Sequence, residues 1–496
     1  MGRMRFIVAP PDRVTDDLLQ QVYLSGLDRI PWPVRAIRSD NELVIDRAGS
    51  DSGNLHVPWP VEGFGPLMLA TATLRERPEP YYLPLELARG KLSQVRNQLA
   101  DWAMIGLDVP FVLRRQLQDA VRDFGNAVCV GCTDPKSIEF AERALRGAVE
   151  VGSNLAAAYT EQALAARRRL QNRPNLFLGS DLGSSPLEEF PASQFLQSFN
   201  AGCLPMAWRD VETGEGKFFW DVCDKQIQWC RDNKMTVCAG PLLPFDERAV
   251  PDWLHLGDGD FESIASFTSV YLREAVERYR GAVDYWIAVG KPNIGGILGL
   301  SEEEEVRLTA QAIQLVRAAD PQAGLLVSFD QPWAEYLARR RRDFPPLQFA
   351  DALLRASLGM TGIALELNVG YWPGGTFPRD LIEFSQLLDY WSLLGVPLFP
   401  ILTFPSGAGP DPLAYRKAGT VDANVSATTH QEWIDHFVPL ALAKPLVHGV
   451  LWNQLRDAEP HAFPHGGLFD LRRHPKPALR RLGSIRQAHL RDPGRA

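Results

Sequence analysis

The chain has few of the residues that announce a function by themselves. It holds six cysteines and nine histidines among 496 residues. Six scattered thiols do not form a disulfide framework and suit a reducing compartment. Cys129 and Cys132 make one C-x-x-C, which on its own reads as two small residues in a turn, not a metal or redox pair. His461 and His465 sit four apart with His474 beyond. Prolines and glycines surround them, so they share no helix face, and no metal is expected. No run of 18 apolar residues occurs, which excludes a membrane-spanning helix as an expectation. No apolar segment of signal length follows the start Met1-Gly-Arg-Met-Arg5, so a cytoplasmic chain is expected. P-loop, Rossmann fingerprint and nucleophile elbow are all missing, and no cofactor is expected. The net charge of −8 argues against nucleic acid or an anionic membrane as partner.

What is there is ordinary for a globular protein, with 45% apolar and 23% charged residues. The length favours two units. Residues 1–85 carry short β-type runs such as Glu42-Leu-Val-Ile-Asp46 and Leu67-Met-Leu-Ala-Thr-Ala-Thr-Leu74, separated by turn formers. Residues 86–174 turn helical. Ser137 to Leu170 lacks proline and is rich in Ala, Leu, Glu and Arg, which predicts one long helix or two stacked ones ended by Pro174.

From 175 to 496 the rhythm is strand then helix, repeated. Eight short apolar runs read as strands buried on both faces. They are 176–179, 198–201, 235–239, 283–289, 324–329, 362–367, 398–402 and 448–452. The clearest helix runs from Glu302 to Ala319, with Ser301 and Glu304 as a capping box and Asp320-Pro321 as its close. Eight such units predict an α/β (β/α)8 TIM barrel behind an N-terminal β-rich and helical region. A doubly wound sheet competes, but Gly179-Ser-Asp-Leu-Gly183 is a poor phosphate turn.

Several segments between about 176 and 480 carry a resemblance. Gly449-Val-Leu-Trp452, Asp457, Leu468-Phe-Asp470 and Pro475-Lys-Pro-Ala478 look like the last strand and closing loop of family 10 glycoside hydrolases, the β-1,4-xylanases. Phe199-Asn200 with Trp208, Glu212, Gly216 and Phe218 is similar to that family's second strand and its continuation. Val237 to Pro251-Asp-Trp-Leu254 is similar to the third-strand segment, and Asp320-Pro-Gln-Ala-Gly-Leu-Leu326 to the entry into the fifth. The resemblance implies a barrel that takes oligosaccharide or polysaccharide at its mouth. It also implies two catalytic glutamates, on strands 4 and 7.

Neither position holds one. Where the family's general acid stands, Trp286-Ile-Ala-Val-Gly290-Lys291 places Lys291. Where its nucleophile stands, Phe399-Pro-Ile-Leu402-Thr403 places Leu402. Glu366, in Gly362-Ile-Ala-Leu-Glu-Leu-Asn368, belongs by spacing to strand 6. Retaining hydrolysis needs a protonated acid and a second carboxylate about 5–5.5 Å away. Lysine is a poor acid near neutrality and leucine is no nucleophile. The best remaining carboxylates at strand ends are Glu366 and Asp330, with Asp181 and Asp457 as further candidates, and Glu366 could instead pair with Lys291.

For ligand contact the candidates are Trp452, Trp372, Trp208, Asn368, Asn453, Asp457 and Lys291. Tryptophan offers a flat apolar face and one donor, which suits a pyranose ring. Trp286 is expected to be core. Three readings stay open. The chain is a carbohydrate-binding barrel without the two-glutamate hydrolysis, an active O-glycosyl hydrolase using Glu366 with Asp330 or Asp457, or a non-enzymatic interaction protein.

Overall fold

The computed structural model describes residues 2–131, 134–169, 176–256, 260–340, 342–416 and 418–490. Cys132 of the C-x-x-C and Pro174, expected to end the long helix, lie outside the described residues; Cys129 is an exposed free thiol. The chain forms two compact units, one of residues 1–169, 333–342 and 376–387, the other of 170–332, 343–375 and 388–496. No described helix is long and apolar enough to cross a membrane.

The first unit contains two four-stranded sheets. In one, Gly2–Ile7 lies between Glu42–Arg47 and the short Tyr81–Tyr82. In the other, Asn54–Val61 pairs with Tyr23–Ser25 and Gly65–Ala70. Alternation works as expected for half-buried strands: Met4 and Phe6 point inward, Arg3 and Arg5 outward to Asp46 and Glu42. Three helices follow, Leu83–Met104, Phe111–Val130 and Pro135–Arg169. The last is a single 35-residue helix. Its alanines and Gly147 let the second helix approach closely.

Polar bonds tie the segments 333–342 and 376–387 into this unit. Arg379 is buried, bonds Glu335, and donates to Tyr23 Oη at 2.9 Å. Lys91, also buried, meets Asp380 at 2.5 Å. Such pairs are costly to break because the survivor is left charged and dry. Glu335→Ala strands Arg379, and we expect a loss of about 3–5 kcal/mol for this unit in urea unfolding; a loss below about 1 kcal/mol would show that Arg379 does not depend on Glu335.

The second unit is the barrel. Its strands are β1 Phe177–Asp181, β2 Ala201–Leu204, β3 Thr236–Ala239, β4 Tyr285–Gly290, β5 Gly324–Asp330, β6 Gly362–Asn368, β7 Leu398–Thr403 and β8 Gly449–Trp452. All pair in parallel with their neighbours, and β8 closes onto β1 through Gly449 opposite Phe177. The eight expected runs are the eight strands. The second is displaced by three residues, because Ser198 is still the last residue of the helix Glu189–Ser198. The helix Glu302–Ala319 has its Ser301–Glu304 capping box.

Phe177, Ala201, Cys203, Cys238, Ile287, Leu326, Ala364, Phe399, Ile401 and Leu451 fill the barrel interior. At its N-terminal end, Phe177, Tyr285 and Phe399 group their rings at 5.2–5.7 Å. Gly449 is required there, since a Cβ would lie 2.4 Å from the Phe177 ring.

Candidate functional site

The inward-facing residues fix the upper layer by period two. Leu326 faces inward, so Ser328 and Asp330 do as well. Ala364 faces inward, and so do Glu366 and Asn368. Leu451 puts Asn453 inside, and Ile401 puts Thr403 inside. The C-terminal end of the barrel, where such folds keep their sites, therefore has a polar cap over an apolar interior.

Lys291 completes this cap. A register irregularity between Ile287 and Val289 breaks the pleat of β4. Gly290 follows, where any side chain would collide with Pro241, and then Lys291 takes a left-handed conformation with φ 60°. A non-glycine residue held there is strained and needs its surroundings to hold it. Its backbone N–H bonds Ser328 O at 2.8 Å. Its ammonium lies 3.0 Å from Glu366 Oε2 and 3.8 Å from Asp330 Oδ2.

Both carboxylates are otherwise occupied. Glu366 Oε1 accepts from Ser328 Oγ at 2.9 Å. Asp330 Oδ1 accepts from the Gln331 N–H at 2.9 Å and from Asn368 Nδ2 at 3.3 Å. Asn453 Nδ2 in turn donates to Asn368 Oδ1 at 2.9 Å. Asn293 clamps the Asp330 backbone on both sides, accepting from its N–H and donating to its carbonyl.

Burial pulls the Lys291 ammonium down, but Glu366 and Asp330 outweigh both it and the repulsion from Arg416, so its pKa ends above the ordinary lysine value. Burial pushes the Asp330 carboxyl up; Lys291, 3.8 Å away, offsets only part of this, and nearby Glu366 adds to it. Lys291 is shared unequally, with Glu366 as the closer partner.

Two loops add charge. Asp246, beyond β3, accepts from Arg416 Nη2 at 2.9 Å, and Arg416 lies in the loop after β7. Burial pushes Asp246 up, but Arg416 and Lys291 outweigh it and leave its carboxyl below the usual range. Arg248 lies over the half-exposed Tyr415 ring at 4.6 Å. Among the described residues its guanidinium has no ion-pair partner.

The structure thus brings together Lys291, Asp330, Glu366, Asn368 and Asn453. It does not place the other candidates with them in the same way. Trp208 is fully buried, stacked on Tyr271 at 5.2 Å, with its N–H donated to Glu212 at 2.7 Å. The expectation of a ring facing the ligand is corrected there. Trp452 is enclosed too, because Leu451 takes the interior face and the pleat turns Trp452 outward against His430 and Trp433. Its N–H goes to Gly466 O at 3.0 Å. Trp372 is half-buried in a short pairing with Gly419. Asp457 is held within its own closing segment by Lys476 at 2.5 Å, the Gly467 N–H at 2.7 Å and Gln454 at 3.0 Å. Trp286 is core, as expected. Leu402 is buried, but Ile401 belongs to the interior, so Leu402 points out of the barrel. The inward neighbours on β7 are Ile401 and Thr403, and neither carries a carboxyl group.

Asp411, Asp457 and His461 each offer a ligand atom within 4.8 Å of the others. Lys476 already neutralises Asp457, and His461 Nε2 faces Asp411 at 3.0 Å. A cavity of about 740 Å3 opens at the opposite end of the barrel, among Phe177, Tyr285 and Phe399.

The site makes a prediction about pH. In Lys291→Met two buried carboxylates face each other with Arg416 as the remaining counter-charge near Asp330, so their folded pKa values rise above the unfolded ones. Stability from a raised carboxyl is present below the unfolded pKa and lost as pH rises through the folded one. The variant should lose about 3–5 kcal/mol at pH 8 and recover much of it near pH 4.5. Equal losses at both pH values would refute the pairing.

No family model matches the chain. Solved structures similar to it include xylanase 10B from Thermotoga petrophila RKU-1 in complex with xylobiose, at 15% identity over 67% of this chain and 96% of that one, with a TM-score of 0.47. A GH10 protein from Paenibacillus barcinonensis matches at 18% identity over 66% and 97%, with the same score. Xylanase B from Clostridium stercorarium F9 matches at 16% over 64% and 98%, with a TM-score of 0.48. The likeness is one of backbone and assigns no role to any residue here.

Proposed function

We propose that the C-terminal mouth of the barrel binds an oligosaccharide and does not hydrolyse it by a two-carboxylate mechanism. One observation carries this reading: Lys291 sits between the two best-placed carboxylates, Glu366 and Asp330. A general acid must offer a proton and a nucleophile must offer a free lone pair. Glu366 is held by an ammonium and a hydroxyl. Asp330 is held by two N–H donors and the same ammonium. Lys291 is kept cationic and cannot act as a base. What remains is a rigid set of amides and charges, which suits hydroxyl recognition.

The second reading is hydrolysis by Glu366 and Asp330. Its support is distance: each lies against the same ammonium, so their oxygens are within about 7 Å of each other, not far from the spacing hydrolases use. Calorimetric binding of xylo-, cello- and manno-oligosaccharides, run beside an assay for new reducing ends, separates the two. We expect binding, no release of reducing ends, and about tenfold weaker binding in Asn453→Ala. Reducing-end release that disappears in Glu366→Gln would establish the second reading. No binding to any of the sugars would leave an interaction protein.

A further inference from the structure

The bonds at the mouth are unevenly filled. The carboxylate oxygens are engaged: both of Glu366, Asp330 Oδ1 by hydrogen bonds and its Oδ2 by the Lys291 ammonium at 3.8 Å, and both of Asp246, which takes the Arg248 backbone N–H and Arg416 Nη2. Donors are left over. Arg416 spends Nη2 on Asp246; among the described residues its other contacts are a 3.5 Å approach of Nη1 to Gly374 O and the Phe463 ring 5.2 Å from its guanidinium carbon. Arg248 stacks on Tyr415 and has no ion-pair partner among the described residues. The Lys291 side chain is 14% exposed and that of Arg416 22%, against 3% for Asp330 and 6% for Glu366. Glu366 and Asp330 lie beneath Lys291 and Arg416, while Asp246, 26% exposed, lies level with the cations.

These cations converge although they come from loops after different strands. Asp246 lies under the influence of both Arg416 and Lys291. Tyr415 feels Lys291, Arg416 and Arg248 together. A ligand that completes this site must bring acceptors and negative charge. A planar carboxylate matches a guanidinium fork with two parallel bonds. A dianionic phosphate would meet the buried carboxylates of Glu366 and Asp330 and the part-exposed Asp246 beside the cations, and a monoanion meets less repulsion.

We propose that the ligand is an acidic oligosaccharide, with a uronic-acid carboxylate read by Arg248 and Arg416 beside Lys291. This rests on the oligosaccharide reading above and narrows it. The ring hydroxyls meet Asn453, which the buried Asn368 positions, the carboxylate takes the spare guanidinium N–H groups, and the exposed part of Tyr415 lies beside the sugar.

The test uses the full chain and matched pairs of oligosaccharides, β-1,4-linked glucose, xylose, mannose and galactose oligomers against counterparts bearing a uronic acid, with inorganic phosphate as competitor. At low salt at least one uronate-bearing member should bind about tenfold more tightly than its neutral match. The advantage should shrink to within about twofold in Arg248→Gln and at 0.5 M NaCl. Arg248 holds no ion pair, so this variant is expected to fold, and its thermal melt checks that. Equal binding of neutral and acidic members would overturn the acidic-sugar inference while leaving sugar recognition standing. An advantage that persists in both Arg248→Gln and Arg416→Gln would overturn it too, as would competition by phosphate at the uronate's own concentration. Binding of no sugar at all would overturn the oligosaccharide reading with it.

Discussion

The ammonium of Lys291, held 3.0 Å from Glu366 and 3.8 Å from Asp330, is the constraint on which the barrel mouth depends. Three buried ionisable groups in a dry interior are tolerable only if their charges are matched and their remaining bonds filled. Here each condition is met by neighbours on the barrel strands or at their ends. Ser328 and Gln331 come from β5 and its end, Asn368 from β6 and Asn453 from the end of β8. The strained backbone at Lys291 belongs to the same arrangement, since a left-handed residue after Gly290 is what turns the side chain inward. The network holds both carboxylates among hydrogen-bond donors and a shared cation.

Much of this was legible in the sequence, and the reason is periodicity. Parallel strands buried on both faces leave short apolar runs at regular spacing, and these located all eight strands. Spacing also put Glu366 on β6, with Asn368 two residues on. The same alternation decides which way Leu402 and Trp452 point. A resemblance matched by letters does not reveal which face of a strand a residue takes, and one residue of offset reverses it. Ile401 and Leu451 hold the interior, so Leu402 and Trp452 point the other way. Trp208 followed the same motif and is core because Glu212, four residues on, takes its N–H and Tyr271, from the helix Phe261–Tyr279, stacks on its ring.

The contributors that sequence reasoning missed are those from loops. Asp246 and Arg416 are 170 positions apart and meet only because β3 and β7 end at the same mouth. No periodic pattern relates them. Asn293 lies in a turn and Arg248 in the single 3-10 turn Glu247–Ala249, too short for any periodic rule about direction. Ser328 was within reach, since it is two residues from both Leu326 and Asp330 on one strand. The buried pair Arg379–Glu335 in the other unit shows the same limit, as it joins two segments 44 positions apart. Ion pairs made across such distances are visible only once the chain is folded.

The protonation state of Lys291 tests the account most directly. Its side-chain nitrogen can be followed by NMR of 15N-lysine-labelled protein, with the signal assigned by its loss in Lys291→Met. The account predicts an ammonium that stays protonated up to its ordinary value of 10.5 and beyond. A lysine that loses its proton near neutrality would contradict it, because a neutral amine would free Glu366 and Asp330 and return acid–base chemistry to the barrel mouth.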